Sequence, residues 1–430
     1  MIERQSIIAN AANGAISIIR LSGSRVIELL DDCFFSKNKN EERTLRYGTF
    51  KGGGINDKVM AVYFKGPKSY TGEDMVEIHA HGGSGISGAI IRYFIEKGVN
   101  LAKGGEFSKR AFLNGKIDLS KAEGVLSLIN ASTTEQVKNA FALHNGILKI
   151  KIDEILIKLK MQLSKMSAYI DYPEEGIEED TIQELKQTIN AVYKDIEKLK
   201  DSYSEGELIK NGVDVVLTGD VNVGKSQLMN VLTNNDSAIV TDIAGTTRDI
   251  IKDNYEYKGY KFNVFDTAGI RESSDIVEKI GIDKAKQQIQ KADIILNIIK
   301  IGDKNPKELK ENEILIENKI DLIKDIKKSS KTIQISALKN INIDILKQKI
   351  FEKSINTINT DIVLTEKRHY DCVYRGYIAL KSGLDNIENI NLELIYSDLM
   401  TAYYNIGEIT GASATDDIID EVFKNFCVGK

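Results

Sequence analysis

Apolar and polar positions alternate in short runs over residues 1–115. Ala15-Ile-Ser-Ile-Ile-Arg20-Leu, Lys58-Val-Met-Ala-Val-Tyr-Phe64 and Asp74-Met-Val-Glu77-Ile-His79-Ala-His81 each carry the period of two that buries one face of a β-strand. Between them Arg25 to Phe34 and Ile86 to Lys97 have helical spacing, so the segment reads as an α+β domain. Arg20 and Glu77 interrupt apolar strands with charge; on spacing alone they are either a solvated strand face or functional groups.

The period then lengthens. Ile152, Leu156, Leu159, Leu163, Met166 and Ile170 recur at steps of three and four, as do Ile182, Leu185, Ile189, Val192, Ile196 and Leu199, which predicts two long amphipathic helices within 116–208. Asp171-Tyr-Pro173-Glu-Glu-Gly176 separates them, and Thr181 with Glu184 has capping-box spacing at the start of the second.

Over 209–357 strands and helices alternate, as in a parallel α/β sheet, with strands expected at Val213–Leu217, Tyr260–Phe265, Ala292–Ile299, Glu313–Glu317 and Thr332–Ile335. From 358 to 430 the pattern is helical again (Leu380, Leu384 and Ile387, then Leu399, Tyr403 and Ile406). An α/β unit between two helical stretches suggests an insertion into a helical bundle that both stretches build.

Composition narrows the function. The chain has 430 residues, 42% of them hydrophobic, enough for several cored domains. A net charge of −5 excludes a chain-wide nucleic-acid coat and leaves room only for local RNA contacts. Cys33, Cys372 and Cys427 are odd in number and far apart, which fits a reducing cytoplasm and neither a disulfide framework nor a cysteine zinc site. No run approaches the roughly 18 apolar residues of a membrane span, so the expectation is a cytoplasmic protein with no membrane partner. His79 and His81 share a strand face but lack a third ligand, so a zinc site is not expected there.

The chemistry centres on Gly219-Asp-Val-Asn-Val-Gly-Lys225-Ser226, a phosphate-binding loop in its strand-then-helix context. Its backbone N–H groups, from Asn222, Val223 and Gly224 through to Gln227 at the helix start, suit phosphate oxygens. Lys225 suits the outer phosphates, and the Ser226 hydroxyl suits Mg²⁺. Asp266-Thr-Ala-Gly269 closes the next strand, placing a carboxylate near Mg²⁺ and the Gly269 N–H near a γ-phosphate. Asn318-Lys319-Ile-Asp321 follows another strand; its carboxylate can accept both the N1 and exocyclic amino hydrogens of guanine, which makes the nucleotide GTP. Ser336-Ala337-Leu338 closes over the base. In Thr241-Asp-Ile-Ala-Gly-Thr246-Thr247-Arg-Asp249, Thr247 is placed to complete Mg²⁺ coordination. Ile270 stands where many small GTPases carry a water-orienting glutamine, so the catalytic group must come from elsewhere, with the acidic segment Glu272 to Glu278 as the local source.

These segments, together with Ser69-Tyr-Thr-Gly-Glu-Asp, His81-Gly-Gly, Gly105-Glu-Phe-Ser-Lys-Arg-Ala-Phe-Leu-Asn-Gly-Lys116-Ile-Asp-Leu and the terminal Phe-Cys-Val-Gly-Lys430, resemble the tRNA-modification GTPase family called MnmE or TrmE over essentially the whole chain. The resemblance implies an N-terminal α+β folate-binding and dimerisation domain (1–115), a discontinuous all-α domain (116–208 and 358–430) and an inserted Ras-like G domain (209–357). It implies a homodimer with nucleotide-dependent G-domain pairing. It also implies a MnmG-type flavoprotein partner and the addition of an aminomethyl-type group to C5 of the wobble uridine of certain tRNAs.

Matched by motif, Arg20, Glu77, Lys116 and Lys430 would bind 5,10-methylene- or 5-formyl-tetrahydrofolate. Asn222 would ligate K⁺ with carbonyls around Thr241, Ile243 and Thr246, and Glu278 would be the catalytic glutamate. One departure is the stretch Ala9-Asn-Ala-Ala-Asn-Gly14-Ala, shorter and poorer in glycine than the family's opening turn. Cys427 lacks a neighbour in sequence that would activate it. The competing reading is a GTP-dependent RNA-binding or ribosome-assembly factor, because the G-domain motifs serve both.

Overall fold

The computed structural model describes residues 7–11, 14–37, 41–172, 179–233, 252–266, 287–303, 309–323, 331–355, 362–387, 391–426 and 429. The chain forms two compact units, each assembled from separated stretches. One comprises Met1–Leu126, Leu143–Asp171 and Leu399–Lys430, the other Ser127–Ala142 and Tyr172–Asp398.

The first unit holds a sheet of β1 (Ile7–Ala11), β2 (Ile16–Ser22), β3 (Phe34–Phe35), β4 (Arg46–Gly52), β5 (Ile55–Phe64), β6 (Met75–His81) and β7 (Asn100–Leu101), in the order β3-β4-β5-β6-β2-β1-β7. Alternation decides its faces. Ile19, Leu21, Val76, Ile78 and Ala80 pack into a core with Val26, Leu30, Ile90 and Phe94 of the helices Val26–Asp31 and Ser84–Glu96. Arg20, Glu77 and His79 therefore lie on the opposite face. Ala9 to Ala11 belong to β1 and pair with β2 as Ala9↔Arg20 and Ala11↔Ile18, so the stretch expected to be a turn is partly strand.

The C-terminal helix Asp416–Lys424 packs on Glu106–Leu113 and on Leu119 and Ala122 through Ile419, Val422 and Phe423. The approach is close: a Cβ on Gly104 would meet the Phe426 carbonyl at 2.6 Å, and one on Gly105, at φ +71°, the Phe423 carbonyl at 2.3 Å. Only glycine admits the tail here.

The second unit is built on β8 (Val213–Gly219), β9 (Lys252–Tyr257), β10 (Tyr260–Asp266), β11 (Ile294–Lys300), β12 (Glu313–Asn318) and β13 (Ile333–Gln334), in the order β13-β12-β11-β8-β10-β9. All pairs are parallel except β9 with β10. β8 lies between β10 and β11, so connections leave it in both directions and a ligand crevice opens at its carboxyl end. Val215, Leu217, Phe262, Val264, Leu296, Ile298 and Ile316 form the core with Leu228, Leu232, Leu346 and Ile350 from the flanking helices Lys225–Thr233 and Ile343–Ser354.

The helix Glu179–Asn211 begins before Thr181, which corrects the expectation that Thr181 caps it. It packs on Lys367–Ile387 through stacked Tyr193/Tyr377 and Tyr203/Tyr370 pairs, 4.7 and 4.4 Å between ring centroids. These two helices, which precede and follow β8 to β13 in the chain, thus pack together. No helix among the described residues is long and apolar enough to cross a membrane.

Candidate functional site

The first site lies at the carboxyl end of β8. The backbone turns sharply there, with Gly219, Asn222 and Gly224 at φ 138°, 64° and 99°. A Cβ on Gly224 would sit 2.4 Å from the Asn318 amide nitrogen, so glycine is required by contact as well as by conformation.

Lys225, the first residue of its helix, is buried, and its ammonium donates to the Gly219 and Asp220 carbonyls at 2.9 and 2.8 Å. The cation is therefore held inside the loop that is to receive phosphate. Ser226 Oγ donates to Asp266 Oδ2 at 2.6 Å, which joins a hydroxyl from the start of a helix to a carboxylate at the end of β10. That pair of hard oxygen ligands fits Mg²⁺. Gln227 follows, half-buried, in the same helical turn.

Asn318 fixes the loop from the side. Buried at the end of β12, it donates from Nδ2 to the Val223 carbonyl (2.8 Å) and accepts at Oδ1 from the Ala337 N–H (3.0 Å), tying loop to base-closing segment. Lys319, at φ 68°, donates to the Asn222 carbonyl at 2.6 Å. The buried Ser336 hydroxyl donates to Oδ1 of the exposed Asp321, orienting the carboxylate suited to guanine. The described members of the GTP set thus converge on one crevice. Thr241, Ile243, Thr246, Thr247, Gly269, Ile270 and Glu278 lie outside the described residues, as do Cys427 and Lys430.

The second site lies on the open face of the first unit's sheet. Arg20 and Glu77 are direct cross-strand partners, and the guanidinium donates from Nε and Nη2 to a single carboxylate oxygen, Oε1, at 2.8 and 2.6 Å. Its Nη1 reaches the Gly429 carbonyl at 3.3 Å, which brings that part of the C-terminal tail to this arginine. The rings of Tyr70 and Phe107 lie 5.8 and 5.9 Å from the guanidinium carbon, within cation–π range. Lys116 stands at the edge of the same loop region, its ammonium donating to the Pro67 carbonyl at 2.9 Å and not to Glu77.

Sequence reasoning quoted Ser69–Asp74 and Gly105–Lys116 as motifs but missed what they do to each other. Tyr70 OH and Ser108 Oγ are 2.8 Å apart. Glu73 Oε2 accepts from Ser22 Oγ at 2.9 Å and from Arg110 Nη1 at 3.0 Å, and Arg110 also reaches Glu106 at 2.8 Å. Thr71 pairs with Ser22 at 2.7 Å, and its carbonyl accepts from Asn114 at 2.6 Å. This largely buried network fixes the loop that carries Tyr70 beneath Arg20. Apart from Arg110 and Glu106, one helical turn apart, the partners lie 37 to 51 residues apart in the chain, beyond any local pattern. His81 pairs with Asp57 at 2.8 Å, and no cluster of three metal-ligating side chains occurs among the described residues.

Residues 5–116 match the family profile described as "GTP-binding protein TrmE N-terminus", and residues 119–427 match "MnmE helical domain". The chain is 38% identical to a tRNA modification GTPase MnmE of Clostridioides difficile, over 97% of this chain and 96% of that protein. It is 36% identical to the protein of the same name from Acetivibrio thermocellus, over 97% and 96%. Identity to the one from Francisella tularensis subsp. holarctica is also 36%, over 100% of both.

Proposed function

The chain belongs to the MnmE family of tRNA-modification GTPases, and from that premise we propose that it hydrolyses GTP to drive addition of a (carboxymethyl)aminomethyl group to C5 of the wobble uridine of certain tRNAs. A reduced folate supplies the one-carbon unit, and a MnmG-type flavoprotein is the partner. The observation that carries this reading is the presence in one chain of a guanine-type nucleotide crevice and a caged Arg20–Glu77 pair that receives the C-terminal tail. The functional division follows the sequence: 1–115 for folate and homodimerisation, 116–208 with 358–430 as the helical domain, and 209–357 as the G domain. The protein works in the cytoplasm.

The described residues have definite parts in hydrolysis. When GTP enters, Lys225 exchanges the Gly219 and Asp220 carbonyls for phosphate oxygens, gaining a charge-assisted contact. Ser226 and Asp266, already 2.6 Å apart, would hold Mg²⁺, which would supply positive charge against the phosphates. Asp321 and Asn318 read and seat the guanine. Asn222, with carbonyls around Thr241, Ile243 and Thr246, would hold K⁺, which would supply positive charge to stabilise the transition state. Thr247 and the Gly269 N–H close on the γ-phosphate, and Glu278 orients water in place of the glutamine that Ile270 replaces.

Folate binding separates this reading from that of an RNA-binding or ribosome-assembly GTPase. Titration of the purified chain with 5-formyl-tetrahydrofolate gives saturable binding under the first and none under the second.

A further inference from the structure

The pair Arg20–Glu77 leaves one carboxylate oxygen over. Both guanidinium bonds end on Oε1, and Oε2 accepts no hydrogen bond among the described residues. His79 stands two residues along β6 on the same face, between Ile18 of β2 and Met60 of β5. Its Nε2 lies 3.7 Å from Glu77 Oε2, beyond hydrogen-bonding distance, and is buried with no hydrogen-bond partner among the described residues.

A buried ring nitrogen left unpaired costs free energy unless a ligand or water satisfies it. A carboxylate oxygen and the lone pair of a neutral ring nitrogen are both acceptors and cannot satisfy each other, and their 3.7 Å separation leaves each available to one of two neighbouring N–H groups on a planar edge. Ile18 and Met60 are the direct cross-strand neighbours of His79, so the sheet positions on either side of it are apolar, which suits a flat heterocycle.

We propose that His79 is a further ligand-contacting residue of the Arg20 site, pairing with Glu77 to hold a planar edge that presents adjacent N–H donors, as the 2-amino-4-oxopyrimidine of a reduced pterin does. Glu77 Oε2 takes one N–H and His79 Nε2 the other. Arg20 holds the carboxylate in register by occupying Oε1. The inference rests on the folate reading above and deepens it, because it assigns the ring edge and a residue that selects for it. His81, on the same strand, takes no part, since its ring is paired with Asp57.

The experiment is isothermal titration of full-length wild type, His79→Gln and His79→Leu with 5-formyl-tetrahydrofolate, with GDP affinity measured on the same preparations as a control for folding. Glutamine keeps a polar atom near Nε2, and leucine keeps bulk alone. We expect His79→Leu to weaken folate binding by about tenfold or more, His79→Gln to stay within about threefold of wild type, and GDP affinity to be unchanged in both. Wild-type binding with an unaffected His79→Leu, or with His79→Gln as weak as His79→Leu, overturns the inference and leaves the folate reading standing. No binding by the wild type overturns the folate reading and this inference with it. Should His79→Leu not fold, His79→Phe carries the same comparison.

Discussion

Arg20 and Glu77 face each other across β2 and β6 and share two hydrogen bonds to one oxygen, so each holds the other's charge on a partly covered sheet face. Removing the guanidinium leaves a lone carboxylate and releases the Gly429 carbonyl. Arg20→Ala is therefore expected to lower reduced-folate affinity by roughly tenfold to a hundredfold, the range for a lost hydrogen bond to a charged group. Nucleotide turnover should be unchanged, since Arg20 belongs to the other unit. Calorimetry of folate binding beside a phosphate-release assay checks both halves.

Asn318 makes two buried bonds, to the Val223 carbonyl and from the Ala337 N–H. Asn318→Ala leaves both backbone groups unpaired, at roughly 1–3 kcal/mol each. GDP affinity should fall by at least about tenfold and the melting temperature should drop; a variant with wild-type values for both would show that the staple contributes nothing.

Asn222 sits in the left-handed region with its carbonyl held by Lys319. The potassium reading predicts faster GTP hydrolysis in K⁺ than in Na⁺, and no such difference in Asn222→Ala. Glu278→Ala should slow hydrolysis by about two or more orders of magnitude with nucleotide affinity kept, as for a lost general base. Equal wild-type rates in the two salts would remove the cation from the mechanism, and normal turnover in Glu278→Ala would move the catalytic role elsewhere.

Burial, together with Asp32 and Asp31, pushes the Cys33 thiol up to about 12. The folded chain thus favours the neutral thiol, and the associated stability is complete below the ordinary thiol pKa near 9 and declines as pH rises from there towards 12. At pH 8 Cys33 should resist iodoacetamide in the native chain and react after denaturation. Peptide mass spectrometry reads the outcome, and native alkylation at Cys33 would contradict it.

How far the sequence could be read depended on whether burial left a local period. β2 and β6 were legible because Ile19, Leu21, Val76 and Ile78 alternate against polar positions. β9, Lys-Asp-Asn-Tyr-Glu-Tyr257, was not: it is an edge strand whose Tyr255 enters the apolar core although its neighbours in sequence are charged and polar. β1 and β4 were missed for a related reason: Ala9 and Asn10 carry little β signal, and the buried positions of β4 are Arg46, Gly48 and Phe50, which leave no apolar alternation. The capping box at Thr181 failed because its spacing also occurs inside a helix, which here begins at Glu179. The nucleotide crevice was readable because each motif follows its own strand. The Glu73–Arg110–Ser22 network and the role of His79 were not, because only the folded sheet and loops bring those residues together.

The most direct test of the account is nucleoside analysis of tRNA from cells that lack this gene, complemented with either the wild-type chain or Lys225→Ala. Wild type should restore the C5-substituted wobble uridine, and Lys225→Ala, unable to neutralise the outer phosphates, should leave it unmodified. Normally modified wobble uridine in the uncomplemented cells would contradict the proposed function.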